Sequence, residues 1–129
     1  MKPQIIVWLC IAGGGAIGAV GRYLLGTWIQ TRSQGEFPSG TILVNLLGCL
    51  LFGLLYGWIG LTANQQLRGF LFAGVLGGFT TFSTFGFETV SLLQRGQQGL
   101  AIGYVAASVI FGLLAAWLGL ALGGMMKPE

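Results

Sequence analysis

Four long apolar stretches, separated by short polar segments, constrain this chain more than any other feature of its sequence. The first runs without a charge over residues 5–21 and continues past Arg22 to residue 29, and the others cover residues 41–61, 69–87 and 100–126. A helix needs about 20 apolar residues to cross the hydrocarbon core of a bilayer. We therefore predict an all-α membrane protein, one domain over residues 1–129, with four transmembrane helices over approximately 5–29, 41–61, 67–92 and 100–126.

The low charge content supports a lipid-facing exterior. Only 7% of the residues are charged and 54% are hydrophobic, whereas a soluble domain has about 25% charged residues. The basic residues are scattered singly, so no cluster is available to bind phosphates, and we expect no nucleic acid partner. The chain has no histidine and its spans hold no carboxylate pair, which disfavours an enzyme. Cys10 and Cys49 lie in apolar runs and are expected to be small buried residues.

Boundary and packing signals support the four-helix interpretation. Ser39 is a candidate N-cap of the second helix, and Thr62 with Gln65 forms a candidate capping box before the third. Glycines also recur at a spacing of four, which lets helix backbones approach closely in lipid. These pairs are Gly14 with Gly18, Gly53 with Gly57, Gly74 with Gly78, Gly99 with Gly103, and Gly119 with Gly123.

The basic residues are balanced across the membrane. Four spans place three on each side: Lys2, Arg68 and Lys127 on one, and Arg22, Arg32 and Arg95 on the other. An excess of Lys and Arg on the cytoplasmic side normally fixes the orientation of a membrane protein. Because this chain has no such excess, we predict that it inserts in both directions and forms an antiparallel, dual-topology homodimer, similar to the inverted repeats of larger transporters.

The third apolar stretch is unusually rich in small and hydroxyl-bearing residues. Glycine, serine and threonine occupy eight of the thirteen positions from Gly74 to Gly86. We predict that the third helix breaks near residues 77–83, since an interrupted membrane helix leaves backbone groups free to bind ions. Carbonyls at the end of the first half would suit a cation, and amides at the start of the second half would suit an anion. The alternative is a continuous helix packed through its glycines.

Phenylalanines and hydroxyls alternate within the same stretch. Phe79, Phe82 and Phe85 recur every three residues, with Ser83 and Thr84 between the last two. The edge of an aromatic ring is electropositive and a hydroxyl donates hydrogen bonds. This surface is therefore predicted to stabilise a small anion without using a formal positive charge. A fixed cation would hold the anion too tightly for rapid passage. An aromatic stripe in the core or facing lipid is the alternative.

A few polar side chains lie inside the predicted spans. Asn45 is the only side-chain amide in them, and it either joins two helices or donates a hydrogen bond on a pore wall. Arg22 and Glu88 are the only ionisable groups near membrane depth, which favours a functional role, although both could extend to the interface instead. Tyr104 and Ser108 are four residues apart and share a helix face.

These residues together resemble one known family. The run from Gly77 to Phe85, GGFTTFSTF, with Asn45 in the second span and Arg22 in the first, is similar to the Fluc or CrcB family of small dual-topology fluoride channels. The resemblance covers essentially the whole chain. It implies an antiparallel homodimer in the cell membrane with two pores, which conducts fluoride passively and protects the cell from it.

The resemblance also implies a role for each candidate residue. Phe82 and Phe85 match pore-lining phenylalanines, and Asn45 matches a fluoride-coordinating asparagine. The backbone carbonyls of Gly77 and Thr80 match ligands of a structural Na⁺ that is not transported. The remaining candidates for the fluoride pathway are Arg22 in a vestibule, Ser83 and Thr84 beside the phenylalanines, and Glu88, Tyr104 and Ser108 at polar positions near the pore. Ala116 departs from the family, which often has a further hydroxyl there.

Two other functions are open at this point. A proton-coupled exporter of the small multidrug type relies on a carboxylate in its first helix, and the first span of this chain has none. A structural membrane subunit without conduction of its own would use the same polar groups only to bind helices together.

Overall fold

The computed structural model describes residues 2–60 and 62–127. In chain order the elements are α1 (Pro3–Arg32), α2 (Ser39–Ile59), α3 (Gln65–Arg68), a π-helix (Gly69–Leu76), α4 (Gly77–Phe79), α5 (Phe82–Gln94) and α6 (Gln98–Met125). The elements from α3 to α5 together form the third span. Each of the four spans begins two residues before its predicted start. Leu61, at the predicted end of the second helix, lies outside the described residues.

Four helical segments are long and apolar enough to cross a membrane: Pro3–Arg32, Ser39–Ile59, Gln65–Gln94 and Gln98–Met125. This confirms the prediction of a four-span, all-helical membrane protein. Few side chains within these spans are buried by the chain itself. Large apolar side chains such as Trp8, Tyr23 and Trp117 are more than half exposed, as expected for surfaces that contact lipid or another protein chain.

Glycines set how closely the spans pack. Gly14 and Gly18 of α1 lie against the backbone of the third span, where an added Cβ would collide with the carbonyls of Phe70 and Val75 respectively. In the same way, a pair of glycines on α2 lies against a pair on α6: Gly53 and Gly57 against Gly119 and Gly123. Such contacts replace the hydrophobic effect as the source of helix association in lipid. A Cβ added at Gly99 or Gly103 would meet nothing within 4 Å on the other described elements, so the packing predicted for that pair is wrong within this chain.

The two predicted caps are corrected by the structure. Asn64, and not Thr62, is the N-cap of α3, since its side chain accepts the backbone N–H of Leu67 at 2.9 Å. Pro38 occupies the N-cap position of α2 and Ser39 is already helical. The start of α2 is bound from outside the helix, because the Oε1 of Gln30 in α1 accepts the N–H of Gly40 at 3.1 Å.

The π-helix over Gly69–Leu76 was not predicted. Its last turn closes with the N–H of Gly77 donating to the carbonyl of Phe72, five residues earlier, and to that of Gly74. A π-helix is rare and is frequently found at functional sites. Here it leads directly into the three-residue α4 and the interruption of the third span.

Cys10 and Cys49 are free thiols of intermediate burial, so they are less enclosed within a single chain than the sequence predicted.

Candidate ion pathway at the helix break

The third span is interrupted at two threonines. α4 ends at Phe79, Thr80 and Thr81 adopt extended conformations, and α5 begins at Phe82. The final helical bond before the break runs from the N–H of Thr80 to the carbonyl of Leu76 at 3.0 Å. The hydroxyl of Thr81 then caps α5, since it accepts the N–H of Thr84 at 3.2 Å. The predicted break near residues 77–83 is therefore present, with both Gly77 and Gly78 still helical.

Asn45 binds the backbone of the break from the neighbouring helix α2. Its Oδ1 accepts the N–H of Thr81 at 2.8 Å, and its Nδ2 donates to the carbonyl of the same residue at 3.0 Å. Thr81 is only 8% exposed, so these bonds satisfy backbone groups that water reaches poorly. Of the two roles open for Asn45, the structure shows the contact between helices.

Arg22 also faces the break. Its guanidinium Nη1 lies 3.4 Å from the carbonyl oxygen of Thr80, and the side chain is half-buried. The long α1 thus carries this charge to the interrupted segment, where a basic group can attract an anion.

Glu88 is held by two hydroxyls. Thr41 donates to its Oε1 at 2.8 Å, and Tyr104 donates to its Oε2 at 2.7 Å. Tyr104 is fully buried and its ring packs against Phe85, with centroids 5.2 Å apart. This cluster joins α2, α5 and α6. Sequence reasoning missed Thr41, although it lies one helical turn before Asn45 and so shares its face of α2.

The phenylalanines lie at the surface of the single chain. Phe82 is 83% exposed, Phe85 is half-buried, and the centroids of their rings are 5.6 Å apart. The hydroxyls of Ser83 and Thr84 lie 3.4 and 3.0 Å from that of Thr81. The hydroxyls of Ser83 and Thr84 thus lie beside that of Thr81 at the start of α5, whereas the rings of Phe82 and Phe85 pack against one another.

Two cavities meet at the break. A vestibule of about 500 Å³, lined in part by charged side chains, contains Arg22, Thr84 and Glu88, with Glu36 and Arg95 also among the residues that line it. A mainly apolar groove of about 760 Å³ lies on the other side of the break. Thr81 lines both cavities. The two cavities are therefore adjacent at Thr81, and Thr80 lines the groove only.

Most of the remaining candidate residues line the groove. It is lined by Asn45, Thr80, Phe82, Phe85 and Ser108, together with Ala116. The Oγ of Ser108 is buried and has no hydrogen-bond partner among the described residues, so its hydrogen-bonding capacity is not satisfied within the single chain. The groove is open on one side, which leaves the exposed ring of Phe82 without a facing surface in one chain.

Comparison with known proteins identifies the family. Residues 9–120 match the model of the CrcB-like proteins, described as camphor resistance (CrcB). The chain belongs to the CrcB-like family. Its relatives include proteins named fluoride-specific ion channel FluC. One from Agrobacterium fabrum is 48% identical over 115 residues, which cover 88% of this chain and 92% of the relative.

Two further relatives carry the same name. The FluC of Chloroflexus aurantiacus is 50% identical over 117 residues, or 89% of this chain and 93% of the relative. The FluC of Azotobacter vinelandii is 47% identical over 121 residues, or 92% of this chain and 98% of the relative. The similarity therefore extends over nearly the full length of these CrcB-like proteins and includes all four spans.

Proposed function

We propose that this protein is a fluoride channel of the cell membrane. Cytoplasmic fluoride leaves the cell through it passively, which lowers the toxicity of fluoride to the cell. The observation that carries the proposal is the uncharged, mainly apolar groove at the helix break, which contains Asn45, Phe82, Phe85 and Ser108. Fluoride as the ion is supported by the names of the relatives.

A small anion needs several weak donors in place of its hydration water. The electropositive edges of Phe82 and Phe85 and the unpaired hydroxyl of Ser108 supply such donors without a fixed charge in the groove, and the hydroxyls of Ser83 and Thr84 lie beside that of Thr81 at the break. Arg22 in the vestibule attracts the anion before it enters. The activity is conduction down a gradient and involves no covalent step.

We further propose that the channel is an antiparallel homodimer. The open side of the groove and the exposed ring of Phe82 support a second copy as the missing wall, and the balanced basic residues allow that copy to insert in the opposite direction. Two copies related by a twofold axis would complete two equivalent pathways.

A structural Na⁺, not transported, is proposed at the carbonyls of Gly77 and Thr80. No cluster of three acidic, cysteine or histidine side chains able to hold a metal occurs in the described part of the chain, so neutral carbonyl oxygens are the available ligands. Among the described residues no hydrogen bond reaches the carbonyl of Gly77. That of Thr80 has only the long contact to Arg22, and a carbonyl oxygen has a second lone pair. The residues therefore fit a small cation, which would neutralise the carbonyl dipoles of the break.

Fluoride efflux from liposomes tests the channel. Purified protein in vesicles loaded with potassium fluoride and potassium chloride should release fluoride, followed with a fluoride-selective electrode after addition of a potassium ionophore, and should retain chloride. Phe82→Ile and Asn45→Asp should each reduce the fluoride rate at least tenfold. Phe111→Ile changes an exposed ring on α6 that lines neither cavity, and it should conduct normally.

The outcome also separates the other functions. If both pathway variants conduct like the unchanged protein, the pathway assignment is wrong. Flux that requires a proton gradient would indicate a coupled exporter, and protein that passes no ion would indicate a structural subunit. Labelling of single cysteines placed at the termini tests the dimer independently, since a dual-topology protein is labelled in equal amounts from both sides of the membrane.

A further inference from the structure

We propose that Asn45 creates the cation site: by capturing the N–H of Thr81, its side chain prevents that group from bonding to the carbonyl of Gly77 and keeps this carbonyl available to Na⁺. Asn45 is then a positioning residue for the cation, in addition to its place in the groove. The inference rests on the proposed function only in taking Gly77 and Thr80 as the ligands.

The first step is an account of the helical hydrogen bonds. In a continuous α-helix each N–H donates to the carbonyl four residues earlier, so the N–H of Thr81 would donate to Gly77. The preceding N–H, that of Thr80, does follow this rule and donates to Leu76 at 3.0 Å. The N–H of Thr81 donates instead to Oδ1 of Asn45 at 2.8 Å. The helical pattern therefore ends at the residue that Asn45 binds.

The second step is the match between the amide and the peptide. The Nδ2 of Asn45 donates to the carbonyl of Thr81 at 3.0 Å, so a single side chain holds both backbone groups of one residue. The side-chain amide of Asn carries an acceptor oxygen and an N–H donor side by side in one planar group. An amide can thus fix the peptide in two directions, which a hydroxyl or an apolar side chain cannot do.

The third step is the close approach of α2. Gly48 lies three residues after Asn45, on the same face of the helix. A Cβ at Gly48 would collide with the methyl group of Thr80 and meet the ring of Phe79 at 3.4 Å. The glycine therefore allows α2 to come near enough for the short side chain of Asn45 to reach the break.

These contacts explain how the Gly77 carbonyl becomes a ligand. An unpaired backbone carbonyl is unfavourable unless another group satisfies it, and carbonyls at unwound helix ends bind Na⁺ in membrane proteins. Gly77 is exposed at the surface of the single chain, so a second copy can approach it. Without Asn45, the N–H of Thr81 can return to Gly77 and extend the helix.

The response of the purified dimer to sodium tests this inference. Thermal unfolding in detergent is followed by tryptophan fluorescence while sodium replaces N-methylglucamine at constant ionic strength. We expect the unchanged protein to be stabilised by sodium. In Asn45→Ala the sodium concentration that gives half of the effect should rise at least tenfold. Phe111→Ile, at a residue that lines neither cavity, should respond like the unchanged protein.

Asn45→Asp provides a second variant that does not depend on the folding of Asn45→Ala. It retains an oxygen that accepts the N–H of Thr81 and loses the donor to its carbonyl, so its sodium response should persist. An unchanged midpoint in Asn45→Ala, or a lost response in Asn45→Asp, would overturn the inference. If the unchanged protein shows no sodium response, both the cation site and the inference are wrong, while fluoride efflux measured in the same preparation still decides the channel.

Discussion

Substitution of Gly18 by alanine should separate α1 from the third span. The added Cβ would collide with the carbonyl oxygen of Val75 and would lie 2.8 Å from the N of Phe79 and 2.9 Å from the carbonyl carbon of Val75. Observed Cβ contacts essentially never fall below 3.0 Å. Because all three atoms belong to the backbone, they cannot rotate away as a side chain would, and one of the two helices must move.

The expected loss of stability follows from the cost of overpacking. Inserting a group into a well-packed core costs about 1–3 kcal/mol. Three backbone collisions place Gly18→Ala at the upper end of this range, which corresponds to a change of about 100-fold in the unfolding equilibrium. Since Val75 and Phe79 lead into the break at Thr80, we also expect the fluoride rate to fall.

The assay is unfolding in mixed micelles at increasing fractions of sodium dodecyl sulfate, followed by circular dichroism. Gly13→Ala is the matched control, because its Cβ has nothing within 4 Å in the chain and alanine favours a helix over glycine by about 1 kcal/mol. It should unfold at the same detergent fraction as the unchanged protein or at a higher one. Equal midpoints for Gly18→Ala and Gly13→Ala would refute the described packing of α1.

Three further predictions use the same titration. Tyr104→Phe removes a donor from the carboxyl group that it contacts and should cost about 1–3 kcal/mol; an unchanged midpoint would contradict the described bond. Asn64→Ala removes the N-cap of α3 and should cost about 1 kcal/mol of stability, whereas Thr62→Ala should cost less. A larger loss for Thr62→Ala than for Asn64→Ala would show that Thr62 is the cap, as predicted from sequence. Gly96 has a φ of 74°, so Gly96→Ala should cost about 1–2 kcal/mol, while Gly99→Ala, in the helix, should not destabilise the protein.

The four spans are predictable from sequence because lipid imposes a simple rule on length and polarity. Long apolar runs mark the helices, and the segments between them contain polar and turn residues such as Glu36, Pro38 and Gly96. The cap of α3 was placed wrongly because Thr62 and Asn64 are both good N-cap residues. Their order of preference depends on the backbone conformation at the turn, which the sequence does not state.

The break was predicted from its composition, but its position depends on tertiary contacts. Gly77 and Gly78 suggested the interruption, yet Gly78 packs against the backbone of Gly15 in α1 and remains helical. The extended residues are Thr80 and Thr81, where Asn45 binds the backbone from α2. A contact between residues 36 positions apart has no local signature in a single sequence.

In the candidate site, too, some features were predictable from the sequence and others depend on tertiary contacts. The types of residue required for an uncharged anion pathway, phenylalanines and hydroxyls, were evident from the alternation after Phe82. The pairing of Glu88 with Thr41 and Tyr104 was not, because it depends on how α2, α5 and α6 are arranged around one another. The π-helix could not be predicted from the sequence either, because its hydrogen bonding has no distinctive residue pattern.

The π-helix over Gly69–Leu76 has a consequence for how the gene can change. A π-helix has more residues per turn than an α-helix, so the loss of one codon in this segment can be absorbed by a return to α-helical bonding. Gain or loss of a codon within α5, where consecutive residues point about 100° apart, would instead turn every later side chain of that helix by this angle. Relatives with a functional pathway should therefore vary in length within the π-helical segment and not within α5.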